Sequence, residues 1–253
     1  MTEPSHPGKT PADLTAGHTV RRYDRELAKL RGIILTMGDH VVEQTRAAVA
    51  AVVEREETQA FRVLDREPQV DYLSLDADEE AFRVIIRHQP TAVDLRIVLA
   101  LSKIAAELER AGDKAARIAR QALELAQPGR GADLLAEDLQ VVFRILDDEV
   151  CCMLERSLHA VRDFDVAQAV EIFESEPELQ DAAASLRQRF CQGSQDGLIP
   201  HQSVCLLTSA HALERIGNHA SNIAEQVVYV ALGQDVRYRN REILIETLRH
   251  HGY

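Results

Sequence analysis

Two stretches of this chain, ELERAGDKAARIA (Glu107–Ala119) and ALERIGNHASNIA (Ala212–Ala224), align without a gap 105 positions apart. A second pair, Glu67-Pro-Gln-Val-Asp71 and Glu176-Pro-Glu-Leu-Gln180, aligns at an offset of 109. Two matches in the same order point to a duplicated unit, and a duplicated unit limits the fold more sharply than any single motif. At 253 residues the chain has room for one large domain or two small ones, each able to bury a core.

The nature of the unit follows from hydrophobic spacing. From Val20 to about Arg55, Leu27, Leu30, Ile33, Ile34, Met37, Val41 and Val42 trace one stripe at helical period. A second amphipathic run covers about Thr58 to Arg87 and stops at Gln89-Pro90, because a residue before proline is driven out of the helical region. Thr91 with Asp94 three residues on predicts a variant capping box. The helix that follows runs to about Gln127, and Pro128-Gly129-Arg130-Gly131 ends it. The pattern then restarts. Leu134 to about Arg162 and Val166 to about Cys191 read as helices separated by an Asp163-Phe164-Asp165 turn. Pro200 opens a last long helix that reaches Leu232, with Gly233 as its C-cap.

The expectation is therefore an all-α protein of six long helices, two tandem three-helix bundles related by internal duplication. Residues 1–19 read as a disordered N-terminal tail, 20–128 as the first bundle, 131–233 as the second, and 234–253 as a polar C-terminal tail of unassigned structure. Aromatic residues are 4% of the chain and tryptophan is absent, so Leu, Val, Ile and Ala must fill the cores of closely approaching helices.

Charge excludes several function classes. A formal net charge of −12 disfavours nucleic acid and anionic lipid and favours cations or basic partners. No run of 18 uncharged apolar residues exists and no leader is legible, so no segment is expected to span a membrane. Cys151, Cys152, Cys191 and Cys205 form no C-x-x-C and read as reduced thiols. The sequence has no phosphate-cradling glycine loop, no H-E-x-x-H and no G-x-S-x-G. His159 follows Glu155 by four and His250 follows Glu246 by four, both read as surface or packing residues. Arg87-His88, Arg96 and Arg237-Tyr238-Arg239 read as solvated charges.

One chemically suggestive feature remains. Glu109 and Asp113, spaced i, i+4, place two carboxylates on one helical face, and Glu67 and Asp71 repeat that spacing near the start of the second helix. Any one such pair is what a solvated face shows. Four carboxylates brought together by neighbouring helices would instead require a cation or shared protons. Gly112 within the pair, and Gly217 at the matching place, suggest close approach of another helix, since glycine costs a helix roughly 0.5–1 kcal/mol. An all-oxygen site of this kind suits Mg, Mn, Ca or iron.

These same residues resemble the PhoU family over about Val20 to Arg239. The resemblance is carried by LTMGDHVVEQ (Leu35–Gln44), RHQPTAVDLR (Arg87–Arg96), ELERAGD (Glu107–Asp113) and ALERIGNHASNIAEQVVYVALGQDVR (Ala212–Arg237). It implies a homodimer of paired three-helix bundles with E(D)-x-x-x-D metal sites and no catalytic turnover. It also implies a negative regulator of the phosphate regulon and of phosphate uptake. Such a regulator links the ATPase of the Pst phosphate transporter to a PhoR-type histidine kinase, and is cytoplasmic, meeting the membrane only peripherally, through those partners. The implied cofactor is a divalent or iron cation, with Mg, Mn, Fe and Zn open.

By the same resemblance the first repeat supplies Glu67, Asp71, Glu109 and Asp113 as metal ligands. The second supplies Glu176, Gln180, Glu214 and Asn218, a degenerate set expected to bind weakly, because amides ligate hard cations without contributing charge. Arg117 and Arg120 in the first repeat stand where the second has Asn222 and Glu225, and are expected to offset part of the acidic charge. A carboxylate-bridged metalloenzyme on a helical bundle is the alternative reading, weakened by the absence of a helical E-x-x-H or a nucleophile–base set.

Overall fold

The structure, a computed structural model, describes residues 21–127, 135–191, 199–237, 239–250 and 252–253. The expected N-terminal tail and the Pro128–Gly131 breaker lie outside the described residues. Six long helices follow in order: α1 (Arg21–Glu54), α2 (Glu57–His88), α3 (Ala92–Ala126), α4 (Glu137–Asp163), α5 (Val166–Cys191) and α6 (Pro200–Leu232). A short α7 (Arg241–His250) completes the described residues, among which there is no strand.

Helices α1, α2 and α3 pack on one another as one trio, and α4, α5 and α6 as the other. The predicted stripe on α1 is the buried one. Leu30, Ile34, Met37 and Val41 are fully enclosed, and Ile33 lies half-buried at the margin. The trios do not stand apart. α3 packs along α6 more extensively than any other pair of helices, α1 also meets α4, and buried residues of both trios form one hydrophobic cluster. Both helices carry many small buried residues, among them Ala111, Ala115 and Ala119 on α3 and Ala212, Ala220 and Ala224 on α6, while Gly112 and Gly217 face α2 and α5 within their own trios. Enclosed Phe143, Phe164 and Phe173 supply bulk to the second trio.

The predicted helix ends are largely in place. Gln89, ahead of Pro90, adopts the left-handed conformation (φ 47°, ψ 53°) and its N–H donates to the Ile85 carbonyl at 3.0 Å. Phe164 ends α4 in the same way and turns its ring fully into the core. Gly233 caps α6 at φ 71°. Thr91 departs from expectation. It is the extended N-cap residue of α3, but its side chain makes no capping hydrogen bond. Glu67 also sits differently, about three turns into α2 rather than near its start, and α2 runs straight on through Pro68. α5 does the same through Pro177, and each proline removes one backbone hydrogen bond from its helix.

The C-terminal segment holds structure that its polar composition hides. Asn240 accepts the Ile243 N–H at 3.1 Å, which starts α7, and Leu244 and Leu248, one turn apart, bury themselves against α5. A ten-residue helix with two apolar anchors presents too little periodicity to be read from sequence. No helix of the described residues is long and apolar enough to cross a membrane.

Candidate functional site

The acidic residues singled out by spacing fall on two corresponding faces, one per repeat. In the first repeat, Val70 lies on α2 between Glu67 and Asp71 and rests on Gly112 of α3, itself between Glu109 and Asp113. A Cβ added to Gly112 would lie 3.2 Å from Val70 Cγ1. That contact brings the two carboxylate pairs onto one surface. Asp71 and Glu109 are both held above the usual carboxylate range. Partial burial contributes most; next come the charges of Asp113 and Glu67 on Asp71, and of Asp113 and Asp71 on Glu109. Arg110 and Lys114 offset part of the effect at Glu109.

The four side chains share a field without sharing a coordination point. Among the described residues, no three His, Cys, Asp or Glu side chains converge closely enough to hold a metal ion. Glu67 is turned aside by Arg120, whose Nη2 lies 2.7 Å from each of its carboxylate oxygens. Arg117, the other cation anticipated there, is exposed and lines a groove between α3 and α6 with Lys114 and Arg215.

The second repeat uses the same scaffold with different chemistry. Leu179, between Glu176 and Gln180 on α5, crowds Gly217 of α6, where an added Cβ would overlap Leu179 Cδ2 at 2.1 Å. Here each carboxylate has its own guanidinium. Arg241, from α7, donates from Nε to Glu176 Oε2 at 2.9 Å, places Nη2 2.8 Å from Glu225 Oε1, and stacks 4.4 Å above the Phe173 ring. Arg187 forms a salt bridge with Glu214, and His211 Nδ1 lies 3.4 Å from the same carboxylate. Gln180 donates from Nε2 to Glu176 Oε1 at 3.4 Å. Asn218 lies half-buried on α6 beside Gly217.

A hard cation suits the donor set of the first face: four carboxylates, two of them destabilised as anions by partial burial and by their neighbours. It does not suit the second, where two amides contribute no charge and both carboxylates already have a positive partner.

A profile described as the PhoU domain matches this chain twice, over residues 34–122 and 143–227. The chain belongs to the PhoU family. The two matched segments correspond to the two helix trios. Among curated relatives, the Pseudomonas putida "Phosphate-specific transport system accessory protein PhoU homolog" is 32% identical over 222 residues, covering 87% of this chain and 85% of its own length. The "Phosphate-specific transport system accessory protein PhoU" of Escherichia coli K12 is also 32% identical, covering 87% and 90%. The crystal structure of PhoU from Pseudomonas aeruginosa superposes with a TM-score of 0.75 at 29% identity, over 84% of this chain and all of that one. The PhoU structure from Streptococcus pneumoniae, at 23% identity and TM-score 0.76, shares the fold.

The guanidinium partners of the second repeat were not legible in the sequence. Arg187 and Glu214 sit 27 positions apart on different helices, and Arg241 reaches Glu176 across 65 residues. No spacing rule links such positions. Arg87 and His88, read as solvated, instead bracket Glu26, at 2.9 and 3.0 Å. Together with Arg22 their hydrogen bonds outweigh desolvation and hold that carboxyl at about 2. Arg96, also read as solvated, lies against Gly233 and donates to the Val230 carbonyl at 3.4 Å.

Proposed function

We propose that this chain is a non-enzymatic negative regulator of phosphate uptake and of phosphate-controlled genes. It would work by binding the ATPase of the Pst phosphate transporter and a PhoR-type histidine kinase, biasing which kinase state is populated. Family membership supports the phosphate connection, and the names of the relatives tie them to the phosphate-specific transport system.

The observation that carries the binding role is an apolar stripe on the outer face of α2. Phe61, Tyr72, Leu75, Phe82 and Ile86 are each between 52% and 68% exposed. At about 100° per residue all five fall within an arc of roughly 80°. Five large apolar side chains sharing one arc of a helix, on a surface otherwise rich in charge, are the chemistry of a protein-binding face. Homodimer formation, cytoplasmic placement and peripheral recruitment to the membrane through partners belong to the same proposal.

The acidic face of the first repeat is proposed to take a divalent or iron cation through small rotations of Asp71, Glu109 and Asp113, with Glu67 joining once released from Arg120. The ion would supply positive charge that ties α2 to α3. The second face would stay metal-free, held by Arg187 and Arg241. Titrating the apo protein with Mn²⁺ should raise its melting temperature. Glu109→Gln with Asp113→Asn should abolish the rise, and Glu176→Gln should leave it in place. An equal loss from changes in either repeat would refute the asymmetry.

The regulatory reading is tested in cells lacking the native gene. Phe82→Glu and Tyr72→Glu, both on the exposed stripe, should keep the melting temperature within a few degrees. They should lose co-purification of the transporter ATPase and switch on phosphate-starvation genes in high phosphate. Full repression by the double variant would sink the proposal.

A further inference from the structure

A cavity of about 630 Å³ lies where α3, α6 and the segment after α6 meet, beside the second acidic face, with which it shares Arg241. Its size is within the roughly 300–1,000 Å³ of small-molecule sites. Its lining is unusual for this chain. Five cations face it, Lys103 and Arg110 from α3 and Arg237, Arg239 and Arg241 from the C-terminal segment, against two carboxylates, Glu107 and Glu225. With Glu176 and Asp235 counted as partners of Arg241 and Arg237, the cations still exceed the carboxylates, in a protein whose net charge is −12.

The carboxylates are occupied from below. Glu107 Oε2 lies 2.8 Å from both His219 Nδ1 and Asn222 Nδ2, and its Oε1 accepts from Arg110 Nη1 at 2.9 Å. Glu225 is spanned by Arg241. Several cationic groups retain capacity. Among the described residues neither Lys103 nor Arg239 takes part in a salt bridge. Lys103 sits over the Tyr229 ring, and Arg239 donates to Gln234 at 3.3 Å. Arg241 Nη1 is buried with no hydrogen-bond partner. Several guanidinium groups around one concave site are matched to the bidentate geometry of phosphoryl oxygens. A ligand must also hold its place against Glu225 and Asp235, which favours a multiply charged anion over a monocarboxylate.

We propose that this cavity binds a phosphate-bearing small anion, held between Lys103 of α3 and the guanidinium groups of Arg237, Arg239 and Arg241. The inference rests on the cavity's charge and size and not on the regulatory reading, so either can fail alone. The shared chemistry is the phosphoryl group, and its two sources are free inorganic phosphate and a phosphorylated metabolite. Because the cavity is far roomier than one tetrahedral anion needs, the metabolite is expected to bind more tightly.

The chain has no tryptophan, so isothermal calorimetry of the full chain is the suitable readout. Inorganic phosphate, ATP and sulfate are titrated separately at low and high salt. The expected result is saturable binding of ATP that weakens with salt and exceeds the binding of both inorganic phosphate and sulfate. Lys103→Gln and Arg239→Gln, at exposed positions outside salt bridges, should each weaken it about tenfold with the melting curve unchanged. Tighter binding of inorganic phosphate than of ATP would assign the site to the free anion. No saturable heat with either phosphate ligand, equal affinity for sulfate, or full affinity in both variants would overturn the proposal.

Discussion

The two acidic faces occupy the same place on the same scaffold and neutralise their charge by opposite means. In the first, carboxylates crowd one another, and one arginine, half exposed, draws Glu67 aside. In the second, two guanidinium groups are built in, one delivered by a helix that has no counterpart in the first trio among the described residues. Duplication supplied the geometry twice. Divergence then left one face dependent on its surroundings for positive charge and gave the other a permanent supply.

The largest expected contrast is between the arginines. Arg241 joins Glu176 to Glu225, which is 6% exposed, and covers Phe173, so Arg241→Ala should destabilise the fold by about 3 kcal/mol in urea denaturation. Arg120→Ala removes a pair whose arginine is 52% exposed and should cost under about 1 kcal/mol. Equal losses would erase the distinction drawn between the faces.

A smaller contrast separates the glycines. A methyl at Gly217 runs into Leu179, and Gly217→Ala should cost about 1–2 kcal/mol after the gain in helix propensity. At Gly112 the contact is merely tight, and Gly112→Ala should stay within about 1 kcal/mol of wild type.

The smallest effects should differ in sign. Glu109 has its pKa raised in the folded state, so folding binds extra protons there, and its contribution to stability falls as pH rises above the ordinary carboxylate value. Glu109→Gln should therefore stabilise the metal-free protein at pH 7 by under about 1 kcal/mol, a gain that disappears towards pH 4. Glu214→Gln should destabilise instead, because it deprives Arg187 of its partner. Thermal melts of both variants at pH 4 and pH 7 without metal decide between these signs.

Long-period features were legible in the sequence and cross-helix partnerships were not. The six long helices follow from apolar spacing such as Leu30, Ile34, Met37 and Val41, and their ends from Pro90, Pro200 and Gly233, because these signals act within a few residues. The meeting of Glu67 and Asp71 with Glu109 and Asp113 was also within reach, since the repeat alignment and Gly112 point to one contact. The capture of Glu67 by Arg120, and of Glu176 by Arg241, depends on how helices are rotated against each other, and no local period encodes that. α7 escaped notice for a different reason: Leu244 and Leu248 are its only buried residues, too few to stand out in a polar segment.

The seam between α3 and α6 has a consequence for how this molecule comes apart. Because that contact joins the buried residues of both trios into one cluster, neither half keeps an intact interior once the other opens. The ancestral copies have given up their autonomy, and the pair should melt as a single thermodynamic unit. A perturbation felt by one copy then has no hinge to cross before it reaches the other.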